Sequence, residues 1–391
     1  MKIAVKLAIR NLLGAGLRTW LNVIVLSFSF VVIIFMKGLM IGWDHQAKTD
    51  MKNWEIGGGQ YWHEKYDPLD PFTLNDSHAP IPLEFADEIS SGDMEPLLIV
   101  PGTIYPQGRL QSVVIKGIRE NQNLLLLPSQ KLDTASFEIP AIIGSLMAKN
   151  IRAVKGDRMT LRWRDINGTF DAADIVITDI FSSNVANIET GQIYIPLEKL
   201  QSMMLMPGKA TIFIFRDSEK TRPAVNGWIH KSRQELTASI DAMIKTKTAG
   251  QTVLYGILLL LAMLAIFDTQ VLSIFHRQKE IGTYIALGYT RKEVVGLFTV
   301  EGTMHAILAA IVSAAYGLPF LSWMAKNGWK MPVDTSEFGM AIAQTLYPVY
   351  SIGLIVTTVL ILTLVTALVS YWPSRRIARM SPTDALRGKL Q

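Results

Sequence analysis

Four long apolar segments constrain the fold of this chain more than any other feature of its sequence. They cover residues 20–42, 248–275, 302–325 and 349–372. Each is long enough to cross the hydrocarbon core of a bilayer as a helix, which takes roughly 20 residues. About 200 residues of ordinary soluble composition separate the first segment from the second. The sequence therefore predicts one membrane span, a large soluble domain over 43–247, and three further spans.

Composition supports a membrane protein whose soluble domain is stabilised by its own core. Only 18% of the residues are charged and 49% are hydrophobic, whereas soluble chains carry about a quarter charged residues. There is no cysteine, so disulfides do not contribute to the soluble domain, and about 200 residues are enough to bury a core instead. No small-residue cleavage site follows the first apolar segment, so we expect that segment to remain as an anchor.

The distribution of Lys and Arg predicts the orientation. Residues 1–19 carry four basic side chains and no acidic one, 276–301 carry four basic and three acidic ones, and 373–391 carry five basic and one acidic. The 326–348 loop is balanced. Because basic residues concentrate in cytoplasmic flanks, both termini and the 276–301 loop are predicted to be cytoplasmic, and the 43–247 domain extracytoplasmic.

Residues 1–19 allow two interpretations. The basic side chains Lys2, Lys6 and Arg10 share one face of a possible helix. A basic amphipathic helix that leads into a span is typical of an elbow lying in the membrane interface. The alternative is a positively charged flank that only sets the topology, and both interpretations stay open.

The 43–247 domain has the pattern of a mixed α+β fold. Two alternating segments, 158–163 and 173–180, flank an Asn167–Gly168 turn and predict a strand hairpin. A long helix is expected from about residue 224 to 247, leading into the second span. Strand–helix–strand patterns occur near both ends of the domain, and a more strand-rich stretch lies between them. This arrangement predicts two subdomains.

The motifs of the common enzyme classes are absent from the sequence. There is no phosphate-binding loop of the Walker A type, no HExxH and no GxSxG. The six histidines are scattered without the spacing of metal ligands. We therefore expect a non-catalytic chain that binds no cofactor directly. The predicted topology accounts for the excess of basic residues, so no nucleic-acid partner is expected.

The 276–301 segment is the strongest candidate for a functional site. Its residues Ile281, Ile285 and Leu287 fall near helical i, i+4 spacing, and Gly288 stands where such a helix would end. Charged residues crowd both ends of the segment. A short helix of this kind can lie at the membrane surface and present one face to a soluble partner.

Two polar side chains fall inside the predicted spans. Asp268 lies about two turns from the cytoplasmic end of the second span, and an ionisable group at that depth is a functional candidate. A structural aspartate that is solvated or paired with Arg277 is the alternative. For His305, in the third span, a satisfied packing role is favoured over a proton relay.

Three stretches of sequence resemble the permease subunits of the MacB/LolC/LolE/FtsX type, the type VII superfamily of ABC transporters. The first is the entry LAIRNLLG followed by LRTWL, the second is HRQKEIGTYIALGYTRKEVVGLFTVEG over 276–302, and the third is PSRRIARMSPTDALR over 373–387. The residues of the second stretch that match the family signature are Glu280, Ile281, Gly282, Ala286, Leu287, Gly288 and Glu301. At position 268 the family more often has Asn than Asp.

This resemblance implies a fold and a mode of action. The fold is an α-helical membrane protein with four transmembrane helices in a 1+3 arrangement and a large extracytoplasmic α+β domain, a porter-like module with a β-rich insert. Two permeases, identical or homologous, would pair in the bacterial inner membrane among its lipids. Two copies of a separate cytoplasmic ATPase would carry ATP and magnesium. The residues expected to couple to that ATPase are Lys279, Glu280, Ile281, Tyr284, Leu287, Gly288 and Arg291.

Three functions are compatible with the resemblance. The first choice is release of lipoproteins from the inner membrane to a periplasmic carrier, driven by mechanotransmission from the ATPase. The alternatives are MacB-like extrusion of peptides or small molecules through an adaptor, and FtsX-like signalling to a cell-wall hydrolase. The external domain of about 200 residues disfavours the signalling branch, and the absence of an ATPase sequence favours systems with separate subunits.

Overall fold

The computed structural model describes residues 16–132, 138–216, 223–331 and 345–375. These residues form a helical unit, made of 16–43, 244–329 and 346–375, and a strand-rich unit, made of the described residues between 44 and 243 together with 330, 331 and 345. Most of the predicted elbow and of the basic tail lies outside the described residues.

The described residues form both long and short α-helices. They are α1 (Gly16–Met51), α2 (Ala86–Ser91), α3 (Ser145–Ile151), α4 (Ala186–Glu189), α5 (Leu197–Met203), α6 (Arg233–Leu236), α7 (Ala238–His276), α8 (Gln278–Ala286), α9 (Arg291–Asn327) and α10 (Ile352–Ser374). Short 3-10 turns and one π-helical turn, Lys52–Ile56, occur between them.

The strands follow in the same order. They are β1 (Gly59–His63), β2 (Ala79–Pro80), β3 (Met94–Ile104), β4 (Gln111–Ile118), β5 (Ile139–Gly144), β6 (Arg158–Arg164), β7 (Phe170–Phe181), β8 (Gln192–Pro196), β9 (Lys209–Ala210), β10 (Ile212–Phe215), β11 (Trp228–Ser232), β12 (Trp329–Lys330) and β13 (Thr345–Leu346).

The helical unit contains the four predicted spans. Helices α1, α7, α9 and α10 are each long and apolar enough to cross a membrane. They share a core in which large side chains such as Phe30 and Ile266 pack against small ones such as Ala306 and Ala309. Small residues allow neighbouring helices to approach closely, and close packing is the main force that associates helices in lipid.

The helix that carries the third span extends beyond the predicted span of 302–325. It begins at Arg291. A capping box explains the difference: the Thr290 side chain accepts a hydrogen bond from the Glu293 amide, and the Glu293 carboxylate accepts one from the Thr290 amide. This reciprocal pair satisfies two amides at the helix start and fixes the start there.

The strand-rich unit is built on one nine-stranded sheet. Its strand order is β11-β1-β10-β3-β4-β8-β5-β7-β6, and β3 also pairs with β6. The additional pairing joins Gly102–Ile104 to Leu161–Trp163 and closes six strands, β3, β4, β8, β5, β7 and β6, into a ring. Strands β10, β1 and β11 extend the sheet from the first half of β3.

Apolar side chains cover both faces of the central strands of this sheet. One cluster contains Val100, Ile115, Ile143 and Ile177. A second cluster, on the opposite face of the same strands, includes Ile99 and Ile142 and packs under the loop that precedes β5. Successive side chains of a strand point to opposite faces, so these strands are buried on both faces, whereas β6 buries only every second residue.

The predicted hairpin is confirmed, and the predicted long helix from residue 224 is wrong. β6 and β7 pair in antiparallel register around the Asn167–Gly168 turn. Trp228–Ser232 is not helical but forms β11, which pairs with β1 and buries Trp228 in an aromatic cluster. The helical region starts at Arg233, where the Ser232 side chain caps α6. The division into two subdomains stays a prediction.

Candidate coupling site

The candidate site is the junction between α7 and α9, where α8 forms a helix of nine residues, Gln278–Ala286. Arg277 separates it from α7 with φ −103° and ψ 20°, so the chain turns without leaving the allowed backbone regions. The helix ends before Gly288, whose φ of +96° lies in the region that glycine adopts without a steric penalty. The predicted end of the helix is therefore confirmed.

One face of α8 is held by a small hydrophobic core. Ile281 is completely buried and packs with Ile274 of α7 and with Val294 and Phe298 of α9. Tyr284 and Ile285 lie at the edge of this cluster. Burial of a side chain the size of Ile281 contributes about 1.5–3 kcal/mol. The cluster therefore joins α8 to both long helices.

Arg277 adds an ionic attachment at the same junction. Its Nη1 donates to both carboxylate oxygens of Glu301 at 2.9 Å, and its Nε donates to Glu280 Oε2 at 2.7 Å. The guanidinium also lies 4.9 Å from the ring centroid of Phe298, within the range of a cation–π contact. One arginine thus connects α8 to a residue of α9 that lies 24 positions further along the chain.

The electrostatics of this arrangement keep Arg277 charged. Burial lowers the pKa of the guanidinium, but the carboxylates of Glu301 and Glu280 raise it by more, so the pKa lies above its ordinary value. Both Arg277 and Glu301 are largely buried, whereas Glu280 is exposed. The Arg277–Glu301 pair is therefore the less screened of the two ion pairs.

The opposite face of α8 and the turn after it are exposed. Leu287 is 73% exposed, Lys279 and Glu280 are exposed, and Arg291 at the start of α9 is exposed as well. These exposed side chains leave this face of α8 accessible to a soluble partner. Physically, the segment is a short helix fixed on one face and available on the other.

The structure places the predicted coupling residues unequally. Tyr284 is half-buried, and its ring centroid lies 5.9 Å from that of Tyr289. Ile281 was predicted to contact the partner. Its side chain lies completely buried inside the α7–α8–α9 core, where it holds α8 against α7 and α9. Sequence periodicity identifies an apolar face but does not say which neighbour covers it.

The two polar residues of the predicted spans have different surroundings. Asp268 is exposed on the surface of α7, and the proposed pairing with Arg277 is not found, since Arg277 contacts Glu301 and Glu280. His305 is buried, with Nδ1 at 3.1 Å from the Glu301 carbonyl oxygen. That contact matches a satisfied packing residue.

Glu301 is the positioning residue that the sequence reasoning missed. It was noted only as part of a motif, although it is a buried acid at the start of a predicted span. A buried carboxylate needs a partner. In the sequence, Arg277 is a basic residue at the other end of the same segment. That signal could have identified the pair.

Part of the sequence is similar to known permease proteins. Residues 252–382 match the family model described as FtsX-like permease C-terminal. The chain is 26% identical over 166 residues to the macrolide export ATP-binding/permease protein MacB of Burkholderia lata, covering 40% of this chain and 22% of that protein. It is 22% identical over 178 residues to the protein of the same name from Chromobacterium violaceum, covering 43% of this chain and 25% of that protein.

These findings and the four apolar helices support a membrane permease subunit. More particularly, the family model and the MacB relatives support an ABC permease of the MacB/FtsX/LolC family, the family that the three sequence motifs resemble. The alignments span about a quarter or less of the length of these curated relatives, and they match the permease part and not the ATP-binding part. Permeases of this family generally work with a cytoplasmic ATPase.

Proposed function

We propose that this chain transmits ATP-driven movement from a separate cytoplasmic ATPase, through α8, to the strand-rich unit on the other side of a bacterial inner membrane. The observation that supports this proposal best is the mounting of α8. Its inner face is fixed to α7 and α9 by the Ile281 core and the Arg277–Glu301 pair, while Leu287 and Lys279 stay exposed. A push on the exposed face would therefore displace both long helices.

The length of α7 suits such a transmission. It is one helix of 39 residues, which corresponds to about 58 Å at 1.5 Å per residue. A helix without an internal break moves as a rod, and packed helices shift between discrete arrangements rather than bending continuously. In this mechanism ATP and magnesium are bound by the ATPase, and no substrate needs to pass through the bundle of spans.

We propose release of lipoproteins as the first candidate activity, with two permeases, identical or homologous, and two copies of the ATPase. Support comes from the size of the strand-rich unit and from the match to the permease part alone. Export of small molecules is the second candidate, since the matched relatives carry the name macrolide export protein. Signalling to a cell-wall hydrolase is the third, and the size of the unit favours it least.

Affinity purification of the tagged chain from native membranes, followed by mass spectrometry, tests the partners. Co-purification of an ATPase with acylated lipoproteins would support lipoprotein release, and an adaptor or a hydrolase in their place would favour the second or third candidate. Recovery of a folded chain without any ATPase would contradict the coupling mechanism.

Two variants test the coupling surface in a reconstituted complex. Leu287→Asp and Glu280→Lys should each leave the chain folded and inserted, because both side chains are exposed. We expect each variant to reduce transport-coupled ATPase activity severalfold. Thr283→Ala, also on the exposed side of α8 but without change of charge, is the matched control. Normal coupled activity in both charge variants would remove α8 from the mechanism.

A further inference from the structure

A groove on the outer face of the six-stranded ring has the composition of a binding site. We call it the arginine groove, and its main lining residues are Leu74, Pro101, Leu110, Arg162, Arg164 and Phe170. Its volume is about 540 Å³, inside the range of roughly 300–1,000 Å³ that is usual for small-molecule sites. None of these residues belongs to the candidate coupling site.

The apolar part of the arginine groove is unusually exposed. Leu110 is 66% exposed and Phe170 is 62% exposed. The loop that supplies Leu74 also carries Leu69 and Phe72, both almost completely exposed. Large apolar side chains gathered in this way commonly mark a surface that another molecule covers.

The charge of the arginine groove is positive on one side. The guanidinium carbons of Arg162 and Arg164 lie 4.3 Å and 6.0 Å from the ring centroid of Phe170. Arg164 Nε donates to the Gly168 carbonyl at 3.0 Å, and Arg162 Nη1 lies 3.5 Å from the Tyr105 hydroxyl. The lining contains no Asp or Glu, and among the described residues neither arginine forms an ion pair.

The carboxylate that follows Arg164 in the sequence is already engaged. Asp165 follows Arg164 directly, and its Oδ1 accepts backbone amides from Asn167 at 2.9 Å and from Thr169 at 2.8 Å. These bonds hold the hairpin turn between β6 and β7. The two guanidinium groups therefore keep donors available for an anion, and arginine prefers carboxylate or phosphate oxygens for that purpose.

The strands beneath the two arginines, β3 and β6, are closed to an added strand. At Gly102–Ile104, β3 pairs with β4 on one side and with β6 on the other, and β6 also pairs with β7 along its length. A peptide that binds by extending a sheet needs an unpaired edge. At the arginines these two strands offer no such edge, which favours an occupant that contacts the side chains of the groove.

We propose that the arginine groove binds an anionic amphiphile, a single acyl chain that ends in a carboxylate. The chain would lie on the exposed side chains of Leu110 and Phe170, and the carboxylate would accept hydrogen bonds from Arg162 and Arg164. The groove matches both parts of such a ligand. Its apolar side chains fit the acyl chain, and the two guanidinium groups next to the Phe170 ring fit the carboxylate. The proposal does not depend on the coupling mechanism or on the cargo.

Photo-crosslinking on the full-length chain in phosphatidylcholine nanodiscs tests this site. The probe is a long-chain fatty acid with a diazirine in its chain, and the comparison probe is the corresponding fatty alcohol. Labelled positions are mapped by mass spectrometry. We expect the acid to label peptides within 101–114 and 162–170 about tenfold more than the alcohol does, since one factor of ten corresponds to ~1.4 kcal/mol and charge-assisted hydrogen bonds reach that size.

The double variant Arg162→Gln/Arg164→Gln should reduce labelling by the acid to the level of the alcohol. Arg158→Gln is the matched control, because Arg158 is exposed on the same strand but pairs with Glu138, and it should keep full labelling. Leu110→Glu provides a second test, and it should abolish labelling by both probes.

Three results would overturn the proposal. They are equal labelling by acid and alcohol, labelling that the double variant does not change, and labelling spread over other exposed apolar residues. A fourth result would assign the groove to a protein partner instead. In that case an acidic peptide displaces the acid probe, whereas an unlabelled fatty acid does not.

Discussion

At the scale of single residues, the side chain that organises the helical unit is Arg277. It brings together two carboxylates and one aromatic ring at a point where three helices meet. A largely buried arginine is stable only with such partners. Its charge is permanent, so the cation of this junction is present over the whole physiological pH range.

Replacement of Glu301 by Gln should loosen the junction while keeping a side chain of equal shape. The variant leaves the largely buried Arg277 without its closest buried countercharge, and loss of one partner from such a pair costs on the order of 1.5–3 kcal/mol. Because the chain has no cysteine, an Ile281→Cys reporter can be introduced alone. We expect its maleimide labelling rate to rise by about tenfold or more in the Glu301→Gln background.

Glu293→Gln is the control for this measurement. Glu293 is acidic and lies on the same helix, but it is exposed and bonds to Thr290. Its substitution should leave the labelling of the reporter at residue 281 unchanged. If Glu293→Gln accelerates labelling as much as Glu301→Gln does, the Arg277–Glu301 pair has no special role.

A second residue-scale prediction concerns Lys116 in the strand-rich unit. Its side chain is buried, with Nζ 5.8 Å from the ring centroid of Tyr194. Burial lowers the pKa of this amine, and the charge of Glu55 offsets only part of that effect. When the pKa of a lysine is lower in the folded state than in the unfolded state, the lysine reduces the free energy of unfolding at pH values below the unfolded-state pKa. This cost disappears as the pH rises to that value, about 10.4.

Lys116→Met should therefore stabilise the strand-rich unit at pH 7, by about 1 kcal/mol, the usual scale of a single substitution. The gain should shrink as the pH approaches 10. Chemical denaturation followed by tryptophan fluorescence measures both effects, and Lys199→Met, at an exposed position, should change neither. A loss of stability in Lys116→Met would indicate that the amine has a partner that stabilises it.

At the scale of elements, the close contact between α9 and α10 depends on one missing side chain. A Cβ atom added at Gly302 would collide with the Ser370 side chain and lie 3.0 Å from Gln270 Nε2 of α7. Ser370 and Gln270 are both buried. The glycine therefore allows three helices to approach one another at the level of the Arg277–Glu301 pair.

Gly302→Val should separate these helices and destabilise the helical unit by about 1–3 kcal/mol, the usual cost of overpacking. The measurement is the thermal unfolding midpoint of the purified chain in mild detergent. Gly296→Ala is the matched control on the same helix, since nothing lies within 4 Å of a Cβ atom at that position. An unchanged midpoint in Gly302→Val would show that α9 and α10 can repack without cost.

The elements also show which features the sequence could predict. Hydropathy located the four spans, and the Asn-Gly turn located the β6–β7 hairpin, because both signals are local. The β11 segment was misassigned since its five residues become a strand only by pairing with β1, more than 160 positions away. Likewise, periodicity located α8 but did not show that Ile281 is buried, because its burial depends on α7 and α9.

At the scale of the whole molecule, orientation in the membrane is the central prediction that remains to be tested. The basic flanks predict that the α8 junction lies in the cytoplasm and the strand-rich unit outside. The arginine groove could not be predicted from the sequence in this way. Arg162, Phe170 and Leu110 are far from Leu74 in the sequence and come together only in the folded strand-rich unit. Their meeting has no sequence signature.

Single cysteines can test the orientation directly in a chain that has none. Thr169→Cys in the β6–β7 turn and Tyr289→Cys after α8 are both at exposed positions. A membrane-impermeant maleimide applied to intact spheroplasts should label the reporter at residue 169 and not the one at residue 289. After lysis both should react. The reverse pattern in intact spheroplasts would invert the proposed topology and with it the coupling mechanism.

The closure of the six-stranded ring has a consequence for how the protein survives before it is fully assembled. An open sheet has two edges whose free amides and carbonyls can recruit strands from other chains. Here the β3–β6 pairing removes one of them, and the other is β11, a short strand that carries His230 and Lys231. Charged, short edges resist intermolecular pairing. A newly made chain should consequently have little tendency to aggregate through its sheet while it waits for its partners.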